Sequence, residues 1–463
     1  MVPRKKSSAL WLLCVFVLLF VTDAQAQVRR PSCTKTGGLS KIVGYYEGWS
    51  SQQPCRQDKL RNILIGVYTH INLAYATIDP QSFEVLPPTR GDADLYPRVG
   101  QSRWDPDLSM FISIGGWTFN ELSGPTATTF SDLVASEDNQ RAFIKSLISF
   151  MSTYGFDGVD LDWSYPGAKN RGGRPEDYEN FPRFVGRLKE ALRGTTGRQG
   201  LSITLPASYR YLQHYDLKTL ANDVDYFNVK SFDLHGTWDK GDQWTEARMG
   251  AHTNLTEIQD ALGHLWRNNV YPYQVVLGLA LYGRGFTATS SSCMEPGCPF
   301  ESGSLYGNCS LEIGVLHNTE IDQLLIAKDI EPKFYEDAAV KVATCDDQWI
   351  AYDDVETLGI KVDLAKGQCL GGVMVSAMTH DDYDGTYSKA LDKAVARLPL
   401  LDGALTAATA KLPQGAASHE KQMNVSKQQQ SLKRTAEEAL LTDAEAMSPP
   451  PRRNNEWPLA PPT

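Results

Sequence analysis

The segment FDGVDLDWSYPG, Phe156 to Gly167, places Asp160, Asp162 and Ser164 two residues apart. If Gly158 to Ser164 is extended, all three side chains point the same way, because strand side chains alternate with a period of two. Two carboxylates so close together raise the pKa of one member. A third carboxylic acid at the next step would complete a set fit for proton donation, but that step holds a serine. A hydroxyl is a far weaker acid than a carboxyl and cannot reach as far. Asp-x-Asp alone also suits surface acids or a metal site, so the surrounding elements must decide.

Eight apolar runs recur along the chain with helical stretches between them. They are Lys41 to Tyr46, His70 to Ala76, Phe111 to Gly116, Gly158 to Asp162, Leu201 to Pro206, Tyr226 to Ser231, Val275 to Ala280 and Gly371 to Ser376. Asn139 to Tyr154 and Tyr178 to Leu192 carry apolar residues at three- and four-residue spacing, the mark of amphipathic helices. This alternation predicts an α/β fold, a (β/α)8 TIM barrel, with polar residues gathered at strand C-termini. A doubly wound open sheet is the alternative, but no glycine-rich phosphate loop follows the first run. The barrel is expected over residues 38–400. The interval between runs seven and eight is too long for one helix, so residues 287–348 are read as a small α+β insertion. Residues 401–463 shift to Ala, Gln, Lys and Pro and read as a low-complexity, disordered tail.

The chain has 463 residues, 42% hydrophobic content and a net charge of −10. That acidic balance argues against a nucleic-acid partner, which would need a cationic stripe. Arg4, Lys5 and Lys6 precede an apolar run from Ala9 to Val21, and Ala24-Gln25-Ala26 offers small residues for cleavage. Residues 1–26 therefore read as a secretory signal, too short for a membrane span. The expected product is an exported, soluble monomer outside the cell or in the cell wall. Export permits disulfides. Cys33, Cys55, Cys293, Cys298, Cys309 and Cys345 are the candidates, with connectivity open and Cys369 expected to be unpaired. Asn254, Asn308 and Asn424 begin Asn-x-Ser/Thr glycan acceptor patterns.

Several segments then fall into register. FDGVDLDWSYPG resembles the FDGxDxDWEYP signature of glycoside hydrolase family 18, the chitinase family. IVGYYEGW, FISIGGWTF, FNVKSFDLHGTWD, LYGRGFT and GGVMVSAMTHDD resemble other segments of that family, in family order. The likeness runs from about Lys41 to Leu398 and is greatest to secreted chitinases of filamentous fungi. It implies a barrel that binds chitin or chitooligosaccharides, with no cofactor and no metal. In such enzymes the substrate's own acetamido oxygen attacks the anomeric carbon, so the protein supplies a proton donor and no nucleophile.

The resemblance assigns that donor, a glutamic acid, to the position of Ser164. It implies further losses around the same bond. Lys230 and Phe232 stand where the family has the Met and Tyr of Met-x-Tyr-Asp, whose Tyr hydroxyl holds the acetamido oxygen. Ser376 stands where a Trp floors the distorted sugar, and Leu281 replaces an aromatic. Tyr46, Trp117, Asp160, Asp162, Asp233, Tyr282 and Arg284 match the sugar-contacting set. The expectation is a chitin- or chitooligosaccharide-binding protein without catalysis. The alternatives are an altered chitinase using Glu47 or Asp162 as its acid, and a protein-binding scaffold or inhibitor on the same fold. Lys230, replacing an apolar Met, is expected either to pair with Asp160 or Asp162, or to turn toward water.

Overall fold

A computed structural model describes residues 39–52, 55, 66–89, 93–97, 107–242 and 245–395. The expected signal, Cys33, Asn424 and the tail lie outside the described residues. Eight parallel strands close on themselves: β1 (Lys41–Glu47), β2 (His70–Ile78), β3 (Ser109–Gly115), β4 (Gly158–Asp162), β5 (Gly200–Pro206), β6 (Tyr226–Lys230), β7 (Val275–Ala280) and β8 (Gly372–Ser376). Each pairs with its neighbours in chain order, and β1 pairs with both β2 and β8. The (β/α)8 barrel read from the sequence is the observed fold, and all eight runs fall on its strands.

These strands are nearly continuous apolar runs because both faces are covered. Ile42, Ile112, Val159, Leu161 and Leu277 face the helical layer, while Val43, Tyr45, Phe111, Tyr226, Val276 and Met374 fill the interior. The helix Glu137–Tyr154 shows how local sequence fixes the outer layer. Ser136 caps its start by accepting from the Asn139 amide, and Glu137 and Asp138 complement the positive end of the dipole. Phe143, Leu147, Phe150 and Met151 bury one stripe, and Gly155 ends the helix at φ 79°, where a side chain would be strained.

Between β7 and β8 an antiparallel sheet with one helix occupies Tyr282 to Tyr352, wider than 287–348 at both ends. Its first strand, Tyr282–Ala288, follows β7 after a single residue, so sequence alone blends the two. The insertion is tied to the barrel by the disulfide Cys55–Cys309, while Cys293–Cys298 closes a short loop within it. Cys369 is disulfide-bonded, and Cys345 is the free cysteine among the described residues. This reverses the expected assignment of those two thiols. The Cys55 bridge spans 254 residues of sequence, and composition carries no record of such a distant contact. Of the acceptor patterns, Asn308 is exposed. Asn254 instead caps the helix Leu255–Arg267, its amide nitrogen donating to Glu257 at 2.8 Å.

Candidate functional site

Two polar layers stack inside the barrel. The deeper is centred on Asp160, which is wholly buried. Its carboxylate accepts from Tyr45 Oη at 2.6 Å, from Ser113 and Ser202 Oγ at 2.7 Å each, and from Thr204 Oγ1 and Asn228 Nδ2. Burial and the nearby Asp162 charge push the Asp160 pKa up, and the hydroxyl donors partly offset them. Asp160 is thus a structural centre enclosed by donors, not a group facing the cleft as its place in the sugar-contacting set implied.

The next layer holds Asp162. Lys230 Nζ donates to Asp162 Oδ1 at 2.7 Å and Oδ2 at 2.9 Å, and Tyr75 Oη donates to Oδ2 at 3.0 Å. Of the two outcomes expected for Lys230, pairing is the one present, with Asp162 as partner. Burial works against the ammonium, but attraction to Asp162, then Tyr165, outweighs it and lifts the Lys230 pKa above its ordinary value. Two glycines at the end of β3 permit this packing. A Cβ on Gly115 (φ 111°) would meet the Asp162 carbonyl oxygen at 2.3 Å, and one on Gly116 (φ 86°) would strike the Tyr75 ring at 2.7 Å.

Ser164, just past β4, is fully buried, and its Oγ has no hydrogen-bond partner. Its backbone is held instead: the amide donates to Asn120 Oδ1 and the carbonyl accepts from Arg171 Nε. Phe232 is buried against Tyr282 in an edge-on contact, and Ser376 ends β8 half-buried. Glu47, at the end of β1, accepts from Thr379 Oγ1 and His380 Nε2. Burial raises its pKa, but attraction to His380 and the hydrogen bonds prevail, so the carboxyl lies below its usual range.

A second ion pair sits beside the first. Asp233 Oδ1 accepts from Arg284 Nε and Tyr282 Oη at 2.8 Å each. Burial disfavours the anion, yet Arg284 and His252 hold Asp233 well below the usual carboxylate range. Trp117 is 53% exposed at the end of β3, and the Arg171 guanidinium lies 3.8 Å from its ring centroid. Trp238, also exposed, lies against Arg284. Asp162, Trp117, Asp233, Tyr282 and Arg284 thus lie at the C-terminal mouth, where (β/α)8 barrels carry their sites.

Tyr46 does not. It is 2% exposed and packs under the helices, whereas Tyr45 points inward. Neighbouring tyrosines on one strand face opposite sides, and adjacent identical residues give no clue to which is which. Sequence reasoning also missed Tyr75, which braces Asp162, and Arg171, which backs Trp117. Neither is near its partner in the sequence. At the opposite end of the barrel an open cavity of about 460 Å³ is lined by Lys41, His70, Phe111, Asp157, Asp225 and Tyr226. It lies at strand N-termini, the face associated with stability.

The chain belongs to glycosyl hydrolases family 18, whose model matches residues 41–381. It is 29% identical over 371 residues to chitotriosidase-1 of Mus musculus, covering 76% of this chain and 75% of that one. It is 27% identical over 300 residues to "Secreted chitinase LysM12" of Penicillium expansum, covering 62% of this chain but 19% of the relative. Among solved structures it resembles human YKL-39, described as a pseudo-chitinase with retained chitooligosaccharide binding properties. That match has a TM-score of 0.67 and 26% identity and covers 77% of this chain and 98% of that chain.

Proposed function

We propose that this protein binds chitooligosaccharides without hydrolysing them and acts outside the cell. The observation that carries this reading is the Lys230–Asp162 pair beside a buried serine, where the family resemblance calls for a protonated acid. Ser164 offers no acid, and Phe232 offers no hydroxyl to orient an acetamido group. An altered chitinase would need Glu47 or Asp162 as its donor. Glu47 is held ionised by His380, and both oxygens of Asp162 are taken by Lys230. The reading is supported by the exposed Trp117 ring, which lies on Arg171, and by the hydrogen-bonded cluster of Asp233, Tyr282 and Arg284. The basic and apolar N-terminal segment, the disulfides and a relative described as secreted support export. No helix among the described residues is long and apolar enough to cross a membrane.

Titration of the purified protein with a soluble N-acetylglucosamine oligomer tests the reading. Saturable binding is expected. Trp117→Ala should weaken it by about tenfold or more, since an exposed aromatic ring held in place offers a large face for stacking on a ligand. Loss of Trp117 that left the affinity unchanged would remove the proposed binding surface.

A further inference from the structure

Lys230 and Asp162 are not equally presented to the cleft. The Asp162 side chain is 1% exposed and lies beneath, while the Lys230 side chain is 21% exposed. A ligand entering the mouth meets the lysine side chain, not the carboxylate. Two of the ammonium's hydrogens go to Asp162 Oδ1 and Oδ2, and Tyr75 Oη also holds Oδ2. An ammonium has three hydrogens, so one remains to donate.

Two other carboxylates of the mouth have partners as well, each through one oxygen. Asp233 is bound by Arg284 and Tyr282, and Glu47 by His380 and Thr379. A cationic sugar would therefore find each of these carboxylates already paired and would face the Lys230 charge. A neutral amide carbonyl would instead find a donor.

Resting on the proposed oligosaccharide-binding reading, we propose that Lys230 is the specificity-determining residue of the cleft, accepting N-acetylated sugars through their amide carbonyl and excluding sugars with free, protonated amines. The hydroxyl that Phe232 lacks is thereby replaced as an amide-binding donor by the neighbouring lysine. Because the donor carries a full charge, it discriminates by electrostatics as well as by hydrogen bonding.

The test is calorimetric titration of the full chain at mildly acidic pH with two oligomers of equal length, N-acetylglucosamine and glucosamine. The wild type is expected to bind the acetylated oligomer at least about tenfold more tightly. In Lys230→Met the ratio should collapse toward one, as Asp162 becomes free to pair with a sugar amine, while Lys230→Arg should keep it. Asp162→Asn, which leaves the cation in place, should also keep it. These two variants preserve a readable result if Lys230→Met does not fold. Equal binding of both oligomers by the wild type, or an unchanged ratio in folded Lys230→Met, or a collapsed ratio in folded Asp162→Asn, would overturn the inference alone. Binding of neither oligomer would overturn the proposed function, and this inference with it.

Discussion

Ser164→Glu, made alone, is expected to leave chitooligosaccharides uncleaved. A positioned general acid contributes about 10²–10⁴-fold to such reactions, so a simple repair of one missing group would be easy to see. The surroundings of residue 164 argue against that outcome. A carboxylate introduced there enters a site whose cation, Lys230, already sits on Asp162 two residues earlier. An opposite charge nearby favours the ionised form of a carboxyl, and a general acid must be protonated to act. Phe232 would still lack the orienting hydroxyl and Ser376 the apolar floor. Groups that act as one catalytic unit are strongly non-additive, so one repair does not show its full worth. The joint change Ser164→Glu, Lys230→Met, Phe232→Tyr and Ser376→Trp should exceed the single change by about 10²-fold or more in product formation. Turnover from Ser164→Glu alone as fast as from the fourfold variant would refute the multiple-loss account.

The largest stability effect is expected away from the mouth, at Lys361→Met. Lys361 and Asp353 are both fully buried and form an ion pair. Thr357 Oγ1 also donates to Asp353 Oδ1, while Oδ2 has no partner. Lys361 Nζ reaches Ala339 O at 2.7 Å, and the Asp353 carbonyl accepts from Asn318 Nδ2. The pair thus pins the inserted sheet and its helix to the helix Val355–Gly367. Removing the cation leaves a carboxylate with no counter-charge and no access to water. Breaking a buried pair in this way costs about 3–5 kcal/mol, whereas replacing both partners with neutral groups is far milder. Chemical denaturation should therefore show a large fall for Lys361→Met and substantial recovery on adding Asp353→Asn. A loss below about 1 kcal/mol, the range of an exposed surface pair, would contradict this role.

The barrel was legible in the sequence because its strands are buried on both faces and so read as separate apolar runs. For Lys230 the family resemblance left two outcomes, pairing with Asp160 or Asp162 or turning toward water, and only the fold selects Asp162. Other features were hidden for physical reasons. Tyr45 and Tyr46 are adjacent and identical, so only the strand's actual orientation assigns one to Asp160 and the other to the helical layer. Asp160 and Asp162 share a face, but depth separates them. One is enclosed by hydroxyls, and the other meets Lys230 near the mouth. Cys369 and Cys345 exchange their expected states because pairing depends on long-range proximity, which spacing does not record. Arg171 sits in a basic stretch with Lys169 and Arg174 and is singled out only when the fold lays it on Trp117.

The central claim, binding without cleavage, is tested most directly by following a soluble N-acetylglucosamine oligomer through saturation and prolonged incubation with the purified protein, then measuring its chain length by mass spectrometry. The account predicts a saturable complex from which the oligomer is recovered at its original length. Shortened products that accumulate in proportion to the protein through purification, or the absence of any complex, would contradict it.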